Sequence, residues 1–256
     1  MITRLLENFG AVVLRKLNWV GSVMLLLVSA VRELRHPLRF RHVFAQMSHL
    51  GVDSLVIVSL TLLFTGMVLT LQIAHEFIRF GAQSIIGGVV AIGVGREIGP
   101  VLVGVVCAGR VGSAITAEIS TMKVTEQIDA LRVMATSPIG YLVVPRMIAC
   151  MCMVPLLTVF GDVVGVFGGW LVATKYSGVS SYTFMNSIDV FVKMHDVTGG
   201  LIKAAVFGVV IAVLGAWYGL HSPEGAEGVG RATTKSVVSS IICIFFLNVL
   251  LSFLLY

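Results

Sequence analysis

The chain has 256 residues, of which 57% are hydrophobic and 12% charged, with a mean hydropathy of +0.98. Soluble domains carry about 25% charged residues, so this composition excludes a soluble globular protein and indicates an integral membrane protein, expected as one membrane domain over residues 1–256. The net charge of +5 does not indicate nucleic acid, because the basic residues flank apolar blocks and are not interleaved with aromatics on a soluble face.

Residues 1–48 mix apolar and basic positions. Leu5, Leu6, Phe9, Val12, Val13 and Leu17 recur at helical spacing among Arg4, Arg15 and Lys16, the pattern of a helix lying in the membrane interface. The apolar block Leu17–Val31 imitates a signal peptide, ending in Val28-Ser29-Ala30, but Arg32, Arg35, Arg39 and Arg41 follow at once and resist translocation. It is expected to stay uncleaved and to continue the interfacial helix, with a full extra span as the alternative. The first span is expected over Ser54–Ala74, which carries no charge.

A polar loop with His75, Glu76 and Arg79 leads to a second apolar segment, Ile85–Ala108, interrupted by Arg96-Glu97 and by Gly99-Pro100, where proline removes a backbone donor. A charge at mid-bilayer costs roughly 2.5 to 3.5 kcal/mol even on lenient scales, so ionisable residues there face the protein interior or a wet cavity and find partners. Candidate partners for Arg96 and Glu97 are Lys203, in the outer part of the fourth span, and Asn248 in the fifth; together they form a candidate substrate cavity, or else a structural ion pair that fixes packing. Apolar walls are available from Leu62, Leu63, Met67, Leu69 and Leu71, and from Ile244, Phe245, Leu250 and Leu251.

Between the second and third spans lies a charged stretch ending at Arg146. In Thr116–Met134, Ile115, Ile119, Met122, Ile128 and Leu131 fall at three- and four-residue spacing, with Glu118, Lys123, Glu126, Asp129 and Arg132 between them, which predicts one short amphipathic helix ending before Ser137-Pro138. It would dock into a partner's groove or lie on the membrane surface. The remaining spans are expected over 147–174, 200–220 and 237–255. With the N-terminus inside, thirteen Lys and Arg fall in inside segments against three (Arg79, Lys175, Lys193) outside, so the N-terminus and the Arg110–Arg146 stretch are expected to be cytoplasmic and Tyr256 to face the other side.

The run GREIGPVLVGVVCAGRVGSAITAEISTMKVTEQIDALRVMATSPIGYLVVPR (Gly95–Arg146), with Gly230-Arg231-Ala232-Thr233-Thr234 before the last span, resembles the signature of the MlaE (YrbE) permeases, the membrane subunits of lipid-transporting ABC systems. The resemblance implies an all-α membrane fold with an N-terminal interfacial helix and five transmembrane helices, in the bacterial inner membrane. It also implies a homodimer bound to two cytoplasmic ATPase subunits, a periplasmic MCE-type lipid-binding protein, often a small STAS-domain protein on the ATPase, and phospholipid as substrate. A sterol or an organic solvent is the alternative cargo. The Thr116–Met134 stretch would be the coupling helix, with Glu118, Met122, Lys123, Glu126, Gln127 and Leu131 as candidate contacts. Some members have an acidic residue where Asn248 stands, so an extra charge pair there is not implied.

The chain contains no GxxxxGK[ST], so ATP and its magnesium are expected on a partner chain and no cofactor, metal or catalytic residue on this one. Cys107, Cys150, Cys152 and Cys243 lie in or beside apolar segments without a CxxC pair and read as buried free thiols. His195-Asp196 with Lys193 reads as a solvated outer loop, since no third ligand or nucleophile accompanies it; an intramembrane enzyme would have to use these residues or Glu97 chemically. Tyr182, Phe184 and Met185 nearby suit contact with an outer partner. Glycines repeat at four-residue spacing in Gly161, Gly165 and Gly169, a face on which membrane helices approach closely, within the chain or at a dimer seam.

Overall fold

The computed structural model describes the backbone of residues 2–35 and 40–256, with side chains from residue 10 onward except residues 12 and 36–39. Arg4, Leu5, Leu6, Phe9, Val12 and Arg39, used above for the interfacial reading, therefore lie outside the described side chains. Among the described residues there is no strand. Apolar runs surrounded by lipid must satisfy every backbone group internally, and helices do so within each segment.

Helix α1 covers Ile2–Glu33, α2 Phe40–Gly51 and α3 Leu55–Arg79. The descent that follows is one 42-residue path, Gln83–Val124, about 60 Å long if straight, made of α4 (Ile86–Gly93), α5 (Gly99–Cys107) and α6 (Ser113–Val124) joined by π-helical turns at Val94–Ile98 and Ala108–Gly112. The short α7 (Gln127–Val133) follows, then a third π-helical turn (Ile139–Val143) leading into α8, Val144–Lys175. The rest is α9 (Ser181–Phe191), α10 (Met194–Leu220) and α11 (Gly225–Leu255).

Six of the described helical segments are long and apolar enough to cross a membrane, the first being Val13–Glu33, within the stretch read as interfacial. Its contacts give its direction. The Trp19 ring lies 6.0 Å from that of Trp217, near the end of α10, while the Glu33 carboxylate reaches within 3.3 Å of where a Cβ on Gly140 would stand. Gly208 of α10 packs on Cys150 of α8, and the two helices run antiparallel, so Trp217 and Gly140 occupy the same level, the lower end of the bundle. Both ends of the 19–33 stretch thus meet one level, and α1 lies across the bundle near its lower end with Leu26 and Ala30 buried.

Helices α3 and α8 run parallel in the tightest seam of the molecule. Gly161, Gly165 and Gly169 face Val58, Leu62, Gly66 and Thr70, so the glycine row serves packing within the chain. Helix α10 descends alongside α5 and α6: Gly215 faces Ile115 and the Gly112 carbonyl, and Gly219 faces Ile119. Thr116 reinforces that contact by donating to the Gly215 carbonyl at 3.1 Å.

These contacts correct the expectation of one amphipathic helix over 116–134. Thr116, Ile119 and Ser120 are buried in the bundle, and the helix breaks at Thr125-Glu126, where Glu126 adopts a left-handed conformation (φ 59°) before α7 begins. The hydrophobic spacing was real, but its upper half marks a face packed on α10 and only its lower half leaves the bundle.

Candidate functional site

The polar cluster grows from a defect in the helix. Pro100 has no N–H, so the carbonyl of Arg96, one turn earlier, has no helical donor, and the π-helical turn over Val94–Ile98 absorbs the irregularity. Lys203 of α10 supplies the missing donor: its Nζ lies 3.2 Å from the Arg96 carbonyl, 2.7 Å from Glu97 Oε1 and 2.8 Å from Ser252 Oγ. Those three partners use all three ammonium protons of a side chain with no exposed surface. Asn248 Nδ2 donates to Glu97 Oε2 at 3.0 Å, so both carboxylate oxygens have donors.

Arg96 turns the other way and forms an ion pair with Asp196, on the first turn of α10. Tyr256 closes the group, its ring 4.2 Å from the Arg96 guanidinium carbon and its hydroxyl donating to the Asp196 carbonyl at 3.1 Å. Two cations and two carboxylates therefore balance. What distinguishes this from a sealed ion-pair core is partial exposure: the side chains of Arg96 and Glu97 are 33% and 38% exposed while their partners are covered.

The structure thus brings together Arg96, Glu97, Lys203 and Asn248. Leu69 stands apart on α3, facing Gly93 and a shallow groove shared with Phe64, Thr65, Val68, Gln72 and Ile98. Asp196 is only 4% exposed, which corrects the reading of His195-Asp196 with Lys193 as a solvated loop; His195 and Lys193 are exposed, and His195 Nε2 lies 2.8 Å from the Leu255 carbonyl. Phe184, offered above as a surface contact, is fully buried against Gly87, whereas Tyr182 and Met185 are exposed.

Ser252 and Tyr256 were missed. Their signal was present, since Asn248, Ser252 and Tyr256 recur every four residues on one helical face. Asp196 had no such signal, because its partner lies a hundred positions away.

At the lower end the six residues assigned to coupling divide. Glu118 pairs with Arg146 of α8 at 2.7 Å, Lys123 donates to the Ser222 carbonyl at 2.8 Å, and Met122 and Leu131 pack partly against the core. Glu126 and Gln127 are exposed. The hydrophobic spacing did not single out Val133 and Met134, which are 88% and 64% exposed. Helix α7 is bracketed by two non-glycine residues in the left-handed region, Glu126 and Ala135 (φ 53°), each costing about 1 to 2 kcal/mol.

Arg146 is 5% exposed and also donates to the Leu142 carbonyl in the third π-helical turn at 2.7 Å. Arg146→Ala is expected to cost about 2 kcal/mol, whereas Glu118→Ala, on the solvent side of the same pair, should cost under about 1 kcal/mol. Thermal melting of the two purified variants checks this asymmetry; equal losses would contradict it.

A family model described as permease MlaE matches residues 43–254. A protein of Synechocystis named "Probable ABC transporter permease protein" is 47% identical over 84% of this chain and 82% of its own length. A Rickettsia felis protein with the same description is 42% identical over 100% of this chain and 99% of its own. The Arabidopsis thaliana chloroplastic protein named TRIGALACTOSYLDIACYLGLYCEROL 1 is 38% identical over 93% of this chain and 68% of its own. With a family model covering most of its length, this multi-pass, all-helical chain belongs to the MlaE family of ABC transporter permeases.

Proposed function

We propose that this chain is the permease subunit that moves phospholipids between the bacterial inner membrane and a periplasmic MCE-type lipid-binding protein, as a homodimer driven by separate ATPase subunits that hold ATP and magnesium. The observation that carries this reading is the half-open polar cluster. Arg96 and Glu97 offer partly exposed charges of both signs at the upper end of α10 and α11, next to helices whose outer faces are otherwise apolar. A zwitterionic or anionic headgroup meets the charges and acyl chains meet the apolar walls. The name of the Arabidopsis relative is that of a glycolipid, which supports a lipid cargo.

The bias of Lys and Arg supports a cytoplasmic lower end and a periplasmic upper end. At the lower, cytoplasmic end α7 is the element offered to the ATPase, with a STAS-domain protein as a further partner on that side. Its exposed Val133 and Met134 form the apolar anchor, and the left-handed residues at both ends hold it at a set angle to α6 and α8. ATP-driven closure of the ATPases shifts the population of permease states through this helix, by as much as the two states differ in their docking.

Two measurements test the proposal. Lipids extracted from the purified ATPase complex and identified by mass spectrometry should be phospholipids; a sterol or an organic solvent in their place would overturn the cargo. Replacing Val133 and Met134 by Asp should lower co-purification of the ATPase at least tenfold while the permease itself elutes and melts normally. Undiminished complex would remove α7 from the interface.

A further inference from the structure

The Arg96-Glu97 cluster gathers charged and polar groups from three helical segments, and Asp162 is a further acid that stays outside it. Asp162 lies in the middle of α8, and its Oδ1 is buried without a hydrogen-bond partner. That oxygen occupies the place a Cβ on Gly99 would take, and the Val94 carbonyl oxygen lies 2.9 Å from the same point. Gly99 is thus glycine because a carboxyl group sits against its Cα, at the break where the Gly99 N–H already bonds the Val94 carbonyl.

Among the described residues, no cation on the elements at the level of Asp162 is left to neutralise it, since α2 with Arg41, His42 and His49 meets α8 lower down, at Met153. Helix α3 carries no titratable group from Leu55 to Ala74, and α4 carries none. From the π-helical turn, Arg96 is committed to Asp196 and Glu97 to Lys203, Asn248 and Ser252; from α10, Lys203 is committed to Glu97. An unpaired carboxylate in such surroundings is expensive, and the usual escape is to hold a proton. A carboxylic acid here also has an acceptor at hand, because the Val94 carbonyl retains a second lone pair.

We propose that Asp162 is a proton-binding site within the membrane: its carboxylic O–H bonds the Val94 carbonyl and latches the Gly99-Pro100 break onto α8. Loss of that proton to water leaves two acceptor oxygens facing each other, and the break moves off α8. Since Glu97 lies two residues before Gly99, the same movement shifts the polar cluster. The proposal concerns this chain's own carboxyl and holds whatever the cargo is.

The test uses the full-length chain in lipid nanodiscs. Infrared difference spectra between about pH 6 and about pH 10, where buried carboxyls titrate, should show loss of a carboxylic-acid carbonyl band that shifts in heavy water and is missing in Asp162→Asn. Isotope labelling of aspartate carboxyls in the unsubstituted protein gives the same answer without a variant, because Asp53, Asp129 and Asp189 are exposed and Asp196 is ion-paired. Amide exchange by mass spectrometry over residues 94–104 should rise several-fold more on alkalinisation in the unsubstituted chain than in Asp162→Asn. Absence of an aspartic-acid band overturns the proton site, and identical exchange in the two proteins overturns the latch.

Discussion

Replacing Lys203 by Met should cost about 2 to 3 kcal/mol of stability and abolish lipid transport. The side chain of Lys203 is fully covered, and its removal takes a donor from the Arg96 carbonyl, Glu97 and Ser252 together. Breaking a buried pair by deleting one partner typically costs about 3 to 5 kcal/mol, because the other charge is left uncompensated. Here Glu97 is 38% exposed and keeps Asn248 and Ser252, so the lower figure applies. The double variant Lys203→Met with Glu97→Gln removes both charges and should recover most of the lost melting temperature, a coupling that a double-mutant cycle reads directly. If the cluster only locks the helices together, transport returns with stability. If Arg96 and Glu97 meet the lipid headgroup, transport stays lost, and that is the expected result.

A single methyl group on Gly66 should be as damaging as any loss of charge. A Cβ there would overlap the carbonyl of Gly165, which is backbone and cannot swing aside, so α3 and α8 must separate along their whole seam. Membrane helices are held by packing, with no water to expel between them, and overpacking costs about 1 to 3 kcal/mol or more when the backbone must move. Gly66→Ala is expected at or above the top of that range, read as loss of the monodisperse peak in size-exclusion chromatography of a fluorescently tagged protein. Gly165→Ala should fall below it, since its nearest neighbour is 3.2 Å away, and Gly109→Ala, with nothing within 4 Å, should be neutral or slightly stabilising. A flat series would show that the seam tolerates the extra volume.

Much of the fold was legible because membrane spans announce themselves by length and apolarity, and α3, α8, α10 and α11 fall where those runs lie. The candidate cluster was legible in part. Arg96, Glu97, Lys203 and Asn248 stand out because charge and amide groups are costly in lipid, and the search for partners narrows to a few residues. Asp196 did not stand out, because from the sequence it belongs to a polar loop, and only the level at which α10 starts brings it down beside Arg96. Asp162 carried the same signal as Glu97, an acid inside the apolar run 147–174, and what only the structure shows is that its Oδ1 is buried without a partner.

The lower end shows the limit of periodicity. Residues 113–133 carry one amphipathic pattern but form two helices with different tasks, because the spacing of apolar residues reports that a face is covered and not what covers it. Ile115 and Ile119 are covered by α10, whereas Val133 and Met134 are uncovered. By itself the sequence determined that this is a helical membrane protein, which of its charges lie within apolar runs, and which family it joins. Each of these depends on local composition or on residues close in the chain. Which charges pair, which glycine seats which carbonyl and which part of the amphipathic stretch stays free were decided only by the tertiary structure. Those outcomes depend on the vertical stagger between helices a hundred residues apart, and stagger is set by how their side chains interlock.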